Sequence, residues 1–179
     1  IGEGDNNTII STQYASILQG RHNQVGYSGS YQDTDENPLN RGGYYSSISN
    51  GLGNTVHPQF STILNGKDNI ITSGSATLGS LGPQEGHNII VGGEENSIHS
   101  SSYSTIAGGY HNTTRNFYSF IGGGKGNNNG AYLSSIIGGC GNSIDPAAFN
   151  SIIGGGVNNI IDQSKDNVIV GGLNNSISG

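Results

Sequence analysis

The sequence predicts an all-β protein, a parallel β-solenoid or β-roll of about twelve coils of ~15 residues with two short strands per coil. Three observations point there. The first is a unit of apolar run, glycine pair, asparagine and second apolar residue that recurs along the chain. It is plainest in Ser134-Ser135-Ile136-Ile137-Gly138-Gly139-Cys140-Gly141-Asn142-Ser143-Ile144 and in Asn150-Ser151-Ile152-Ile153-Gly154-Gly155-Gly156-Val157-Asn158-Asn159-Ile160. The second is the near-constant interval between these units. The third is composition: 32 Gly in 179 residues and only 31% hydrophobic residues would starve a globular core. A thin solenoid needs only one or two apolar residues per strand.

The first apolar residue before each glycine pair anchors the register at position 0. The anchors are Ile17, Ile48, Ile63, Thr77, Ile90, Ile106, Ile121, Ile136, Ile152 and Ile169, spaced 13 to 17 residues apart from Ile48 onward. Ile1 enters partway through a coil, at position +1. Residues 1–179 read as one solenoid domain, with an irregular loop or degenerate coil at 27–43 and a distorted coil at 79–86 around Pro83. Neither Ile1-Gly2-Glu3-Gly4 nor Ile177-Ser178-Gly179 resembles a polar cap, so the chain is expected to be a segment of a longer fibre or to stack head to tail.

Each column of the repeat has its own expected role. Position +8 is apolar in most coils (Val25, Val56, Ile71, Ile98, Ile144, Ile160 and Ile177) and should fill the core opposite position 0. The glycine pair supplies the tight turn between them. Position +6 is asparagine in Asn23, Asn54, Asn69, Asn96, Asn112, Asn127, Asn142, Asn158 and Asn175, which should form a hydrogen-bonded ladder from coil to coil. Position −3 carries Tyr14, Tyr45, Phe60, Tyr103, Tyr118 and Phe149, with Leu133 in the same column, and predicts an aromatic ladder. A sugar-stacking stripe is the functional alternative for that column, and a glycan-binding surface the alternative for the asparagines. Position +1 should point outward because strand neighbours alternate faces, yet it is mostly apolar. Leu18, Leu64, Leu78, Val91, Ile137, Ile153 and Val170 therefore predict a partner surface, most simply other copies of this chain around a symmetry axis.

The remaining chemistry is sparse. A formal charge of −6 gives no electrostatic footprint for nucleic acid, and no run is long enough to insert into a membrane as a helix. Asp33, Asp35 and Glu36 form a weak candidate metal site of oxygen ligands, without the ligand spacing of a calcium loop. The five histidines fall in no common column of adjacent coils, and Arg and Lys are scattered, so no catalytic constellation and no cofactor is expected. Cys140 is read as a small residue at a coil corner.

Tyr118-Ser119-Phe120-Ile121-Gly122-Gly123-Gly124 and Tyr103-Ser104-Thr105-Ile106-Ala107-Gly108-Gly109 resemble the head repeats of trimeric autotransporter adhesins (YadA-like heads) and the β-solenoid repeats of phage and viral fibres. The resemblance implies a homotrimer that packs apolar strand faces at a central axis, located outside the cell or on a virion. It also implies an adhesive role toward a surface glycan or host receptor. A carbohydrate-binding or depolymerising tailspike-like solenoid is the alternative, and a lateral cluster of acids and bases would favour it.

Overall fold

The computed structural model describes residues 1–10, 12, 14–26, 45–72 and 86–179, and every regular element among them is a short strand. The strands form two parallel sheets that run the length of the solenoid. One has ten strands, from Thr8–Ile10 to Ser176–Ser178, and the other nine, from Ser16–Ile17 to Val168–Ile169. Each coil from Ile17 onward contributes one strand to each sheet and pairs with the coils above and below it. A third line of contact is a single-residue parallel bridge at position +4, running from Asp5 and Arg21 through Tyr110, Lys125 and Cys140 to Leu173.

The core is two side chains thick. Ile48, Ile63, Ile90, Ile106, Ile121, Ile136 and Ile153 of the nine-stranded sheet meet Val25, Val56, Ile71, Ile98, Ile144 and Ile161 of the other, all fully buried. Branched side chains suit this arrangement because each stacks on its copy one strand away. Two neighbouring coils depart from it. Thr114 and Asn129 pair at position +8, both buried; the Asn129 amide donates to Ser134 O at 2.8 Å, while Thr114 Oγ1 has no partner.

Backbone of positive φ makes the corners. Position +3 is glycine throughout, as in Gly109 (φ +92) and Gly139 (φ +92), and a Cβ there would run into the carbonyl oxygen of the +3 glycine one coil on. Position +5 is left-handed too and holds residues that tolerate it, among them His22, Asp68, His111, Asn158 and Asn174. Position −3 is left-handed in every described coil with an anchor from Ile17 onward, including the bulky Tyr103 (φ +57), Tyr118 (φ +55) and Leu133 (φ +54).

The register corrects several expectations. Ile17 pairs directly with Ile48, and Ile63 with Ile90, so no rung separates them and the longer sheet has ten strands rather than twelve. Thr77, Leu78, Asp33, Asp35 and Glu36 lie outside the described residues. Gly2 N donates to Ile17 O as Leu18 N does to Ile48 O, which puts Ile1 at position 0 rather than +1. The largest slip is in the coil after Ile136, whose partner is Ile153, not Ile152. That coil has one residue more, and its Ile-Ile, Gly-Gly-Gly and Asn-Asn doublings make two registers look alike in sequence. Its +3 glycine is Gly156, which fixes Ile153 at position 0 and Ile161, not Ile160, at +8.

Candidate self-association face and the ladders behind it

The asparagine column forms the expected ladder, and most members are held in the same way. Asn112 shows the pattern. Its backbone N and Nδ2 both donate to Asn96 Oδ1 at 3.1 Å, and Nδ2 also donates to Gly108 O at 3.1 Å and Gly124 O at 3.0 Å. Its own Oδ1 accepts from Asn127 N and Nδ2. The corner needs such a residue because the +3 glycine turn leaves carbonyls and amides buried, each of which must find a partner. Asn159 rather than Asn158 occupies the ladder, donating to Asn142 Oδ1. Asn158 sits one residue earlier, at the left-handed corner. Asn7 starts the ladder, accepting from Asn23.

A second polar ladder, absent from the sequence reading, lines position −2. Ser46 Oγ accepts from Ser61 N, Ser61 Oγ from Asn88 N, Ser104 Oγ from Ser119 N and Ser134 Oγ from Ser151 N. Its signal was available: serine fills −2 in six coils once the register is right.

The aromatic column is a file of six parallel rings: Tyr14, Tyr45, Phe60, His87, Tyr103 and Tyr118, with centroids 4.8–5.3 Å apart and planes within 14°. His87 completes it between Phe60 and Tyr103. Phe149 does not belong. It lies one position earlier in its coil, edge-on to Tyr132 at 6.4 Å and under the Lys165 ammonium at 5.1 Å. Parallel stacking covers the ring faces within the file, so what the file turns outward is edges. A sugar stacks on faces, and this geometry suits a column that braces the coils.

The outer surfaces of the two sheets differ. On the nine-stranded sheet, position +1 exposes Leu18, Leu64 (43%), Val91, Ile137 (52%) and Val170 (84%). Position −1 of the same surface is mixed, with Ile89, Phe120, Ile152 and Val168 apolar, Phe120 of these half-buried, and Ser16, Ser47, Thr62, Thr105 and Ser135 polar. The exception is Ile153, expected in this stripe and fully buried instead, because the extra residue in its coil shifts it to position 0. Ile152 takes the outward place. The ten-stranded sheet is polar outside, with Thr55, Ser97, Thr113, Asn128 and Ser143 at +7 and His57, Thr72, His99, Arg115 and Asp145 at +9. Ile70 and Ile160 at +7 and the half-buried Ile10 at +9 are apolar exceptions.

Charge is paired locally. Along the glycine corner a shallow groove runs past Glu3, Arg21, Lys67, Glu94 and Tyr110. Lys67 Nζ donates to Glu94 at 2.6 Å, which raises the lysine pKa, and a hydrogen bond to Glu95 raises that of the Tyr110 phenol. On the polar sheet face, burial lowers the pKa of His57. Burial, with Arg115 adding to it, lowers that of His99, whose two ring nitrogens lie 2.6 Å from Thr72 Oγ1 and Ser97 Oγ. Among the described residues no three His, Cys, Asp or Glu side chains converge to hold a metal ion, and no helix is long and apolar enough to cross a membrane. No protein-family model matches the chain, and no curated protein matches it.

Proposed function

We propose that this chain is a structural, non-catalytic segment of an extracellular fibre that associates with two further copies of itself through the outer face of its nine-stranded sheet. The observation that carries the reading is the exposed Leu18, Leu64, Val91, Ile137 and Val170 at position +1 of that sheet, joined by Ile89, Ile152 and Val168 at −1, beside a mostly polar surface on the other. Exposed Leu, Ile and Val side chains recurring along one sheet face, even with Ser49, Gly122 and Gly154 between them, are a costly surface to leave in water. Its side chains repeat at the coil spacing, and the surface that matches this pitch without further specification is an identical stripe. Three such stripes facing one axis bury all copies equally, as the likeness to trimeric autotransporter adhesin heads implies. The polar sheet then remains outward, available for adhesion to a surface glycan or receptor.

Mass photometry of the purified chain, paired with a glycan panel scored for both binding and cleavage, tests this. Particles of three chains, with no glycan shortened, are the expected result. Single chains at micromolar concentration would remove the self-association, and reproducible cleavage of a glycan would replace the structural role with an enzymatic one.

A further inference from the structure

Three Asn-Gly dipeptides occur in the sequence: Asn50-Gly51, Asn65-Gly66 and Asn129-Gly130. The fold treats them unequally. Asn50 and Asn65 stand at position +2 with their glycines at +3, the corner whose N–H lies outside the coil-to-coil ladder. Among the described residues Gly51 N and Gly66 N donate only to the Oδ1 of the asparagine before them, each at 2.7 Å. Both asparagines are exposed. The contact holds each side-chain carboxamide against the backbone nitrogen that follows it. Asn129 sits at +8, fully buried, its Nδ2 donating to Ser134 O at 2.8 Å and Phe120 O at 3.3 Å. Gly130 N is committed to Ile144 O at 2.9 Å.

We propose that Asn50 and Asn65 are sites of self-catalysed deamidation in the folded chain, with water as the co-reactant, and that Asn129 is protected. The Gly51 nitrogen gives its proton to solvent base and bonds to Asn50 Cγ. The carboxamide nitrogen takes a proton and leaves as ammonia, closing a five-membered imide. Water then adds to one imide carbonyl and that carbonyl's bond to nitrogen breaks. Opening at Cγ yields aspartate; opening at the main-chain carbonyl yields isoaspartate, with the chain now running through Cγ. No electrons leave or enter. Glycine leaves the attacking nitrogen unhindered, and the corner leaves it free of the ladder. The same chemistry applies at Asn65.

The outcome matters to the ladder behind it. Gly51 O accepts from Asn23 Nδ2 and Gly66 O from Asn54 Nδ2, both at 2.9 Å. Isoaspartate inserts an extra backbone carbon beside these carbonyls, and each conversion adds one negative charge to a chain already at −6.

The test incubates the folded chain at mildly alkaline pH in heavy-oxygen water, beside the same chain unfolded in urea, and reads peptides by mass spectrometry with electron-based fragmentation. In the folded chain, peptides holding Asn50 and Asn65 should gain aspartate and isoaspartate carrying one heavy oxygen. The Asn129 peptide should convert at least ~10-fold more slowly, since local protection governs access to the reactive geometry. In urea all three should convert. Asn50→Ser and Asn65→Ser, both at exposed positions, should each erase the signal of that site alone. Equal conversion of Asn129 in the folded chain overturns the proposal. So does retention of intact Asn50 and Asn65 over the time in which the unfolded chain loses them.

Discussion

The two sheets of this solenoid are built from the same repeat and differ on their outer surfaces. Both bury one branched side chain per strand, Asn129 apart, and both pair coil to coil in parallel. Outside, one presents Leu64, Val91, Ile137 and Val170, the other Ser97, Thr113, Ser143 and Asp145. The architecture needs a branched residue inside; it asks nothing in particular of the outside. A surface richer in exposed Leu, Ile and Val on one sheet than on the other is therefore information beyond the fold, and the proposed self-association rests on it.

The sharpest way to break this comparison is to move a charge by one residue. Ile136 is fully buried and Ile137 is half exposed on the apolar face. Ile136→Asp places an unpaired carboxylate between the two sheets, at a cost of several kcal/mol, and should unfold the central coils. Ile137→Asp should leave the strand signal in circular dichroism unchanged in the separated chain. If both variants fold alike, the inside and outside of this sheet are misassigned.

Next in size is the asparagine ladder, on which both faces depend for their register. Asn112→Ala deletes the acceptor for Asn127 N and Nδ2 and the donor to Gly124 O. Leaving such groups buried without partners costs about 1–3 kcal/mol each, so the midpoint of denaturant unfolding should fall markedly. A change within the error of the measurement would mean that water replaces the ladder freely.

The smallest effect is expected on the polar face alone. His57 and His99 sit below their ordinary pKa of 6.5 in the fold. The unfolded chain therefore binds protons that the folded chain resists, and stability rises with pH across this window. It should be complete above pH 6.5 and decline as pH falls through that value toward the folded pKa values. His99→Gln should flatten the decline seen in thermal melts between pH 7 and pH 5, a window named from those shifts.

Much of this was legible in sequence because a narrow solenoid gives each column one task. Position 0, position +8 and the asparagines announce themselves by chemistry and spacing. The slip between Ile152 and Ile153 arose where three doublings coincide and only the +3 glycine, whose missing Cβ the next coil requires, decides the register. The aromatic file is visible as a column of Tyr and Phe, and His87 completes it because an imidazole stacks between Phe60 and Tyr103 as a phenyl ring does. The left-handed backbone under Tyr103 and Tyr118 had no signal, since bulky residues are poor markers of that conformation. The outward stripe was legible as an anomaly of polarity, and its occupant is a matter of surface chemistry rather than of fold.

Sedimentation velocity across a range of concentrations decides the central claim most directly, using the parent chain, Ile137→Asp and Ser143→Asp. The two variants carry the same new charge in the same coil, on opposite outer faces. A three-chain species is expected for the parent and for Ser143→Asp, and single chains for Ile137→Asp. Assembly that survives Ile137→Asp, or is lost in Ser143→Asp, would contradict it.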